Sequence, residues 1–291
     1  MPTEPTQHLL VAYEDYSYST STIITGSNWN PAFPVTEVAT TTYSEAAELA
    51  SAACSISLDL GSIRDIGLVC VPRHTLSLTA TWRVRVSDNI LLLTDPESVA
   101  VQDILYDSTS TLVWPDTTDY TSVPYSEYTT WAGTIADVHN PPALLFLPEA
   151  TVARYIYIDI VDQAGAQVSK LFIGPYWQPT NGVSKGWGMS YVDQKKPKRL
   201  KGAAVLAEQT PRHRMLKLSC KYLTEGEAFT NAAMIDKDRG VRNPYIIIIN
   251  PADVVNRHRL FLYGTNKKIL PVREVGAYGY YSKSFELVEW L

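Results

Sequence analysis

Short runs in which apolar and polar side chains alternate dominate this chain. Over 81–88, Trp82, Val84 and Val86 share one face while Arg83, Arg85 and Ser87 share the other. Successive side chains of a strand point to opposite sides, so this run predicts a half-buried antiparallel strand. Leu216, Leu218, Cys220 and Tyr222 alternate in the same way with Lys217, Ser219 and Lys221. Further strands are predicted at 8–13, 55–60, 66–71, 153–162, 170–174, 245–250, 259–263, 269–275 and 280–288, punctuated by Pro, Gly, Asn and Asp. So many short strands predict an all-β chain built as a sandwich or jelly roll.

One helix stands out. Thr224 and Glu227 have capping-box spacing, the run 228–237 carries Phe229, Ala232, Ala233 and Ile235, and Gly240 is placed to end it. The Ala/Glu-rich stretch 44–53 is compatible with a short helix or an ordered loop. Residues 181–202, with Gly182, Gly186, Gly188 and a basic run at 195–201, read as a linker. This organisation predicts a first domain over 1–180 with an enlarged insert at about 89–147, a linker over 181–202, and a smaller β-sandwich with one helix over 203–291.

Charge sharpens that division. Residues 1–184 hold 6 Lys and Arg against 20 Asp and Glu, a balance of −14; residues 185–291 hold 19 against 10, a balance of +9; together they give −5. Opposite fields attract, so the halves are suited either to dock on each other or on neighbouring copies, or to stand as two independently solvated surfaces. A chain of 291 residues with 45% apolar and 19% charged side chains is long enough to bury about three-quarters of its unfolded surface without a metal or disulfide. Cys54, Cys70 and Cys220 are far apart within apolar runs and read as buried thiols. No apolar run approaches the roughly 20 residues of a membrane-spanning helix. The start of the chain lacks the basic and apolar regions of a secretory signal, so export is not expected.

There is no Gly-x-Ser-x-Gly elbow, phosphate-binding glycine loop, Cys-x-x-Cys or His-Glu-x-x-His. His8, His74, His139, His213 and His258 are isolated. Asp59, Asp159 and Asp162 have the chemistry of an acid and base pair, but no spacing singles them out. Asp116, Asp119 and Asp137 lack the pattern of a calcium loop. No enzyme, cofactor or metal is therefore expected. The basic run at 195–201 is broken by a proline and has no interleaved aromatics, so nucleic-acid binding is not expected. Trp114, Tyr125, Tyr128 and Trp131 lie among Thr, Ser, Asp and Pro. Amphipathic rings among small polar groups suit either a glycan or partner contact or a loop packed on its own rings. Trp29, in a Ser-Asn-Trp-Asn-Pro stretch, is a further candidate contact or a plug at the barrel end.

Several stretches together resemble known families. Ser57-Leu-Asp-Leu-Gly-Ser62, the run 66–71, Trp82-Arg-Val-Arg-Val-Ser-Asp88 and Ala153-Arg-Tyr-Ile-Tyr-Ile-Asp-Ile160 resemble the successive strands of the discoidin-like, galactose-binding jelly roll. Lys170-Leu-Phe-Ile-Gly-Pro-Tyr-Trp-Gln-Pro179 looks like the closing segment of such a domain in tailed-bacteriophage structural proteins. The stretches 213–223, 243–251, 260–264 and 281–291 are similar to the β-sandwich of phage distal-tail or minor-tail baseplate proteins. The resemblance implies a virion protein of the tail tip, made in the bacterial cytoplasm. It implies assembly with copies of itself as a ring, usually six-fold, joining the tail tube to the hub and fibre proteins. The jelly roll implies, as the alternative, a carbohydrate-binding module that recognises a host-surface glycan. For a ring, the exposed Arg257, Lys267 and Lys268 or a sheet edge are the expected interface.

Overall fold

The structure, a computed structural model, describes residues 9–42, 44–113, 142–148, 151–192, 198–199, 205–206, 212–253, 257–276 and 279–290. The chain divides into two compact units. The first comprises Met1–Thr6, Glu14–Tyr176 and Ala252–His258; the second comprises Gln7–Tyr13, Trp177–Pro251 and Arg259–Leu291.

The first unit is a jelly-roll sandwich. Its larger sheet runs Ile23–Ser27, Ala53–Asp65, Val152–Val161, Thr81–Ser87 and Ile104–Asp107, with Thr111–Leu112 also pairing the Thr81–Ser87 strand. The smaller sheet runs Phe172–Gly174, Leu68–Val71 and Ala143–Phe146. Every pairing in both sheets is antiparallel. Alternation decides what lies between them. Ile156, Ile158 and Ile160 of the central strand sit opposite Leu58, Ile56 and Cys54 on one side and Val86, Val84 and Trp82 on the other. These nine side chains join Val69, Val71, Ile173 and Ala143 of the smaller sheet in one core. The close approach of chain at the sandwich end requires glycine at 174, where a Cβ would lie 1.8 Å from the Glu14 carbonyl oxygen.

One charged pair is sealed inside this unit. The side chain of Lys170 is fully buried, and its Nζ lies 2.7 Å from Asp15 Oδ2. The same ammonium donates to Ser17 Oγ at 3.0 Å and the Ala39 carbonyl at 3.3 Å. Three oxygens thus surround the buried ammonium and satisfy its hydrogen bonds.

The second unit is built on a seven-stranded sheet ordered Leu10–Ala12, Tyr245–Ile248, Phe261–Asn266, Tyr281–Glu289, His213–Leu223 and Gly188–Val192, with Arg273–Glu274 also pairing the Tyr281–Glu289 strand. Leu216, Leu218, Cys220, Phe285, Leu287 and Ile247 cover one face and pack with Ala228, Ala232 and Ile235 of the helical segment. The capping box forms as expected: the Thr224 amide donates to Glu227 Oε2 at 2.9 Å, and the Glu227 amide donates to Thr224 Oγ1 at 3.3 Å. The segment runs as a π-helical turn over Glu227–Ala232 and an α-helix over Ala233–Asp238, closed by Gly240 at φ +54°.

Three expectations change in detail. Within the linker expected over 181–202, Gly188–Val192 pairs with His213–Leu223 as a strand of the second unit's sheet. The strand expected at 8–13 belongs to the second unit, where Leu10–Ala12 pairs Tyr245–Ile248 and Val11 exchanges two backbone bonds with Trp177. A linear division cannot show this, because an edge strand goes wherever its backbone groups are satisfied. The 89–147 insert supplies the Ile104–Asp107, Thr111–Leu112 and Ala143–Phe146 strands of the sandwich. The undecided 44–53 stretch contributes the Ala47–Glu48 strand, paired with Gln167–Val168.

Two tests follow from this packing. Lys170→Met should lower unfolding free energy by about 3–5 kcal/mol in urea titration, because it strands the Asp15 carboxylate; adding Asp15→Asn should recover part of the loss. An unchanged midpoint in the single variant would contradict the buried pair. Cys70 and Cys220 are fully buried, and burial pushes both thiols up, Cys220 to about 12. A thiol reagent at neutral pH should therefore leave both unmodified in the native protein and label both after denaturation.

Candidate functional site

The outer face of the larger sheet carries the residues that alternate with its core positions. Asp159 lies opposite Ser55 on one side and Arg83 on the other, and Ser27 lies opposite Ser55. One row of the face thus reads Ser27, Ser55, Asp159, Arg83, with no apolar side chain. Arg83 makes a two-pronged pair with Asp107, from Nε to Oδ1 at 2.9 Å and from Nη2 to Oδ2 at 2.6 Å. Arg85 is 2% exposed; it reaches Glu97 and Asp159 at 2.8 Å each and stands over the Tyr157 ring at 5.1 Å. It also donates to the Pro96 carbonyl at 3.1 Å, which ties the 95–98 strap to the sheet. Leu92 and Val99 of the insert pack with Tyr155 to cover the rest of this face. The Arg83 hydrogen bonds hold the Asp107 carboxyl below its ordinary value, and the Arg154 guanidinium does the same for Asp59.

A second polar group lies at the sandwich end formed by the 28–34 loop and the Ala47–Glu48 and Gln167–Val168 strands. Trp29 bridges to Leu49, and the Asn30 amide donates to the Glu48 carbonyl at 2.9 Å. Alternation sends Trp29 and Leu49 toward the core and Asn30 and Glu48 outward. Asn30 Nδ2 donates to Glu48 Oε1 at 2.8 Å, and Gln167 Nε2 donates to Glu48 Oε2 at 3.3 Å. All three side chains are half-buried. The Glu48 carboxylate is held by two neutral amides, and among the described residues no cation pairs with it.

In the second unit, one carboxylate gathers three ammonium groups. Glu286, 9% exposed, lies 3.3 Å from Lys217, 3.6 Å from Lys267 and 3.1 Å from Lys268. Its carboxyl is held below the ordinary value, first by the Lys268 hydrogen bond and also by Lys217.

The sequence-predicted residues separate across these places. Half-buried Trp29 donates its indole N–H to the Ser55 carbonyl at 2.7 Å and packs on the core. Trp114, Tyr125, Tyr128 and Trp131 lie outside the described residues, as do Asp116, Asp119 and Asp137. Arg257 falls in the first unit, over the Phe146 ring at 5.6 Å, while Lys267 and Lys268 fall in the second. Asp59 is tied to Arg154 at 2.7 Å, Asp159 to Arg85 at 2.8 Å and Asp162 to the Ser77 amide at 2.8 Å. Sequence reasoning missed Asn30, Glu48 and Gln167, because only the pairing of Ala47–Glu48 with Gln167–Val168 brings residues 119 positions apart together. It also missed Glu286, whose only signal is its place in an alternating strand.

No protein-family model and no curated protein matches the chain. Among solved structures, a fucosidase from Ruminococcus gnavus in complex with fucose is similar at 10% identity and a TM-score of 0.36, over 55% of this chain and 26% of that one, so the match spans about a quarter of the fucosidase. A fucose-binding module from Streptococcus pneumoniae is similar at 12% identity and a TM-score of 0.34, over 56% of this chain and 95% of that one. A family 32 carbohydrate-binding module from Clostridium perfringens in complex with galactose is similar at 12% identity and a TM-score of 0.34, over 58% of this chain and 99% of that one.

Because Asp59, Asp107 and Glu286 are all held below their ordinary values, their pairings contribute fully above the unfolded carboxylate range of about 4 and are lost as pH falls through the lower folded values. The thermal unfolding midpoint should therefore fall between about pH 4 and pH 2. A midpoint that held steady over that window would refute the pairings.

Proposed function

We propose that the chain is a non-catalytic recognition protein whose jelly-roll unit binds a glycan at the Asn30, Glu48 and Gln167 end. The observation that carries this reading is the alignment of two amides and a carboxylate, half-exposed and fixed to one another, with Glu48 and Gln167 on adjacent strands and Asn30 on the 28–34 loop. Planar amide and carboxylate groups offer donors and acceptors at the spacing of neighbouring sugar hydroxyls. An ionised carboxylate has about four lone-pair sites, of which the two amides use two. Rigid strands hold the groups in place before binding, which lowers the ordering cost of association. The unpaired negative charge of Glu48 favours neutral or amino sugars over sialylated or sulfated ones. Trp29 serves this end by pinning the 28–34 loop to Ser55.

The tail-tip setting is the finer part of the proposal. It rests on the resemblance of 170–179 and of the second unit's stretches to phage tail proteins, and it places the chain in a virion. A structural reading, in which copies assemble as a ring between tail tube, hub and fibres, is favoured by one observation. Charge segregates with the structural units: the first holds 21 acidic and 7 basic residues, a balance of −14, and the second 9 and 18, a balance of +9. A subunit with two surfaces of opposite sign is suited to heterologous contacts.

A glycan array probed with the full chain should give signals from neutral or amino sugars. Glu48→Gln and Asn30→Ala should each weaken those signals at least about tenfold while the thermal midpoint stays near that of the parent. An array without binding would sink the glycan reading, and binding that survived both substitutions would move the site elsewhere.

A further inference from the structure

The assembly reading leaves open which surfaces meet, and the second unit carries a face built for an acidic partner. On the outer side of its sheet, Lys217 sits directly across from Glu286 and Ser219 across from Ser284. Lys267 is fixed beside them, its amide donating to the Glu286 carbonyl at 2.7 Å. The ammonium groups of Lys217, Lys267 and Lys268 converge on one carboxylate, so two positive charges are left uncompensated. The lysine side chains are 59%, 53% and 59% exposed, against 9% for Glu286. The buried carboxylate therefore orders the lysines without screening them from solvent. Lys221 adds another exposed charge on the same strand face.

Aromatic rings stand at the end of that strand. Tyr222 is 51% exposed with φ +60°, a left-handed backbone that is costly for a residue bearing a side chain. It sits where the register with the neighbouring strand shifts, and it meets Tyr280 edge to face at 6.2 Å. Phe229, turned out of the π-helical segment and 51% exposed, meets Tyr281 at 5.0 Å. Two backbone irregularities thus leave rings exposed at the other end of these strands, apart from the lysines.

The first unit carries the complement. Its strap over 88–103 exposes Asp88, Asp95 and Glu97 together with Ile90, Leu91 and Val101, which are 58%, 46% and 86% exposed. Arg85 holds the strap to the sheet through Glu97, which leaves Asp88 and Asp95 as its exposed acidic groups without a cation among the described residues. We propose that the Lys217, Lys267 and Lys268 face of one copy docks on the acidic 88–103 strap of a second copy. The match is one of charge sign. Because the two surfaces differ, the contact is heterologous and leaves each copy free to bind another. This inference rests on the assembly reading and is independent of the glycan site.

The test is the mass of the full chain by light scattering after size exclusion, at about 0.05 M and about 0.5 M salt, where the screening length differs severalfold. At the lower salt the parent should run as multiples of 32.4 kDa and shift toward monomer at the higher. Lys267→Glu with Lys268→Glu, both exposed, should give folded monomer at both salts, with a thermal midpoint lowered by the loss of the Glu286 pairs. Adding Asp95→Lys to that variant should restore the larger species. A parent that is monomeric at low salt would overturn both the docking and the assembly reading. A charge-reversed variant that assembles like the parent would overturn the docking alone. A monomeric parent that binds sulfated dextran through these lysines would assign the face to a polyanion instead.

Discussion

The first unit depends on the pairing of one strand on both of its edges. Val152–Val161 lies between Ala53–Asp65 and Thr81–Ser87, and its register with each places Ile156, Ile158 and Ile160 over the core. Because side chains alternate with a period of two, a slip of one residue would turn those isoleucines outward and bring Tyr155, Tyr157 and Asp159 inward. Burial of the isoleucines therefore specifies the register, and the register in turn arranges the opposite face. Arg85 meets Asp159, Arg83 meets Asp107, and Tyr157 lies under a guanidinium because the core face leaves them no other position.

That opposite face shows how charge is accommodated in a β-sandwich. Arg85 is nearly inaccessible, and an unpaired guanidinium there would be strongly destabilising. The insert resolves this by lowering a strap across the sheet, giving Arg85 the Pro96 carbonyl and the Glu97 carboxylate while Leu92 and Val99 cover Tyr155. Lys170 is solved differently, with Asp15, Ser17 and the Ala39 carbonyl surrounding its ammonium. In both cases loops outside the sheets supply partners to the ion, although the buried Arg85 Nε keeps no partner of its own.

The two units divide both chain and charge. The second unit takes its edge strand Leu10–Ala12 from before the jelly roll, and the jelly roll takes Ala252–His258 from within the second. Even with these exchanges the balances remain −14 and +9. Such segregation concerns association and solubility rather than fold, since surface charge contributes little to stability at any one pair. The Asn30, Glu48 and Gln167 end and the lysine face accordingly draw on different physics. One is built of planar hydrogen-bonding groups fixed to one another, and the other of excess charge ordered by a nearly buried carboxylate.

Periodicity alone determined much of this protein. The alternation of Trp82, Val84 and Val86 with Arg83, Arg85 and Ser87 identified a strand and its buried face, because burial of one face leaves a direct imprint of period two. The Thr224 and Glu227 spacing identified a helix start, because a capping box is a local hydrogen-bond pattern. Only the tertiary structure decided which strands are neighbours, and every candidate site follows from that. Glu48 meets Gln167 and Glu286 meets Lys217 across strand pairs whose members are remote in sequence. The assignment of Leu10–Ala12 to the second unit is of the same kind. Alternation says which way a side chain points, whereas its partner depends on backbone pairing, which the pattern of a single strand does not encode.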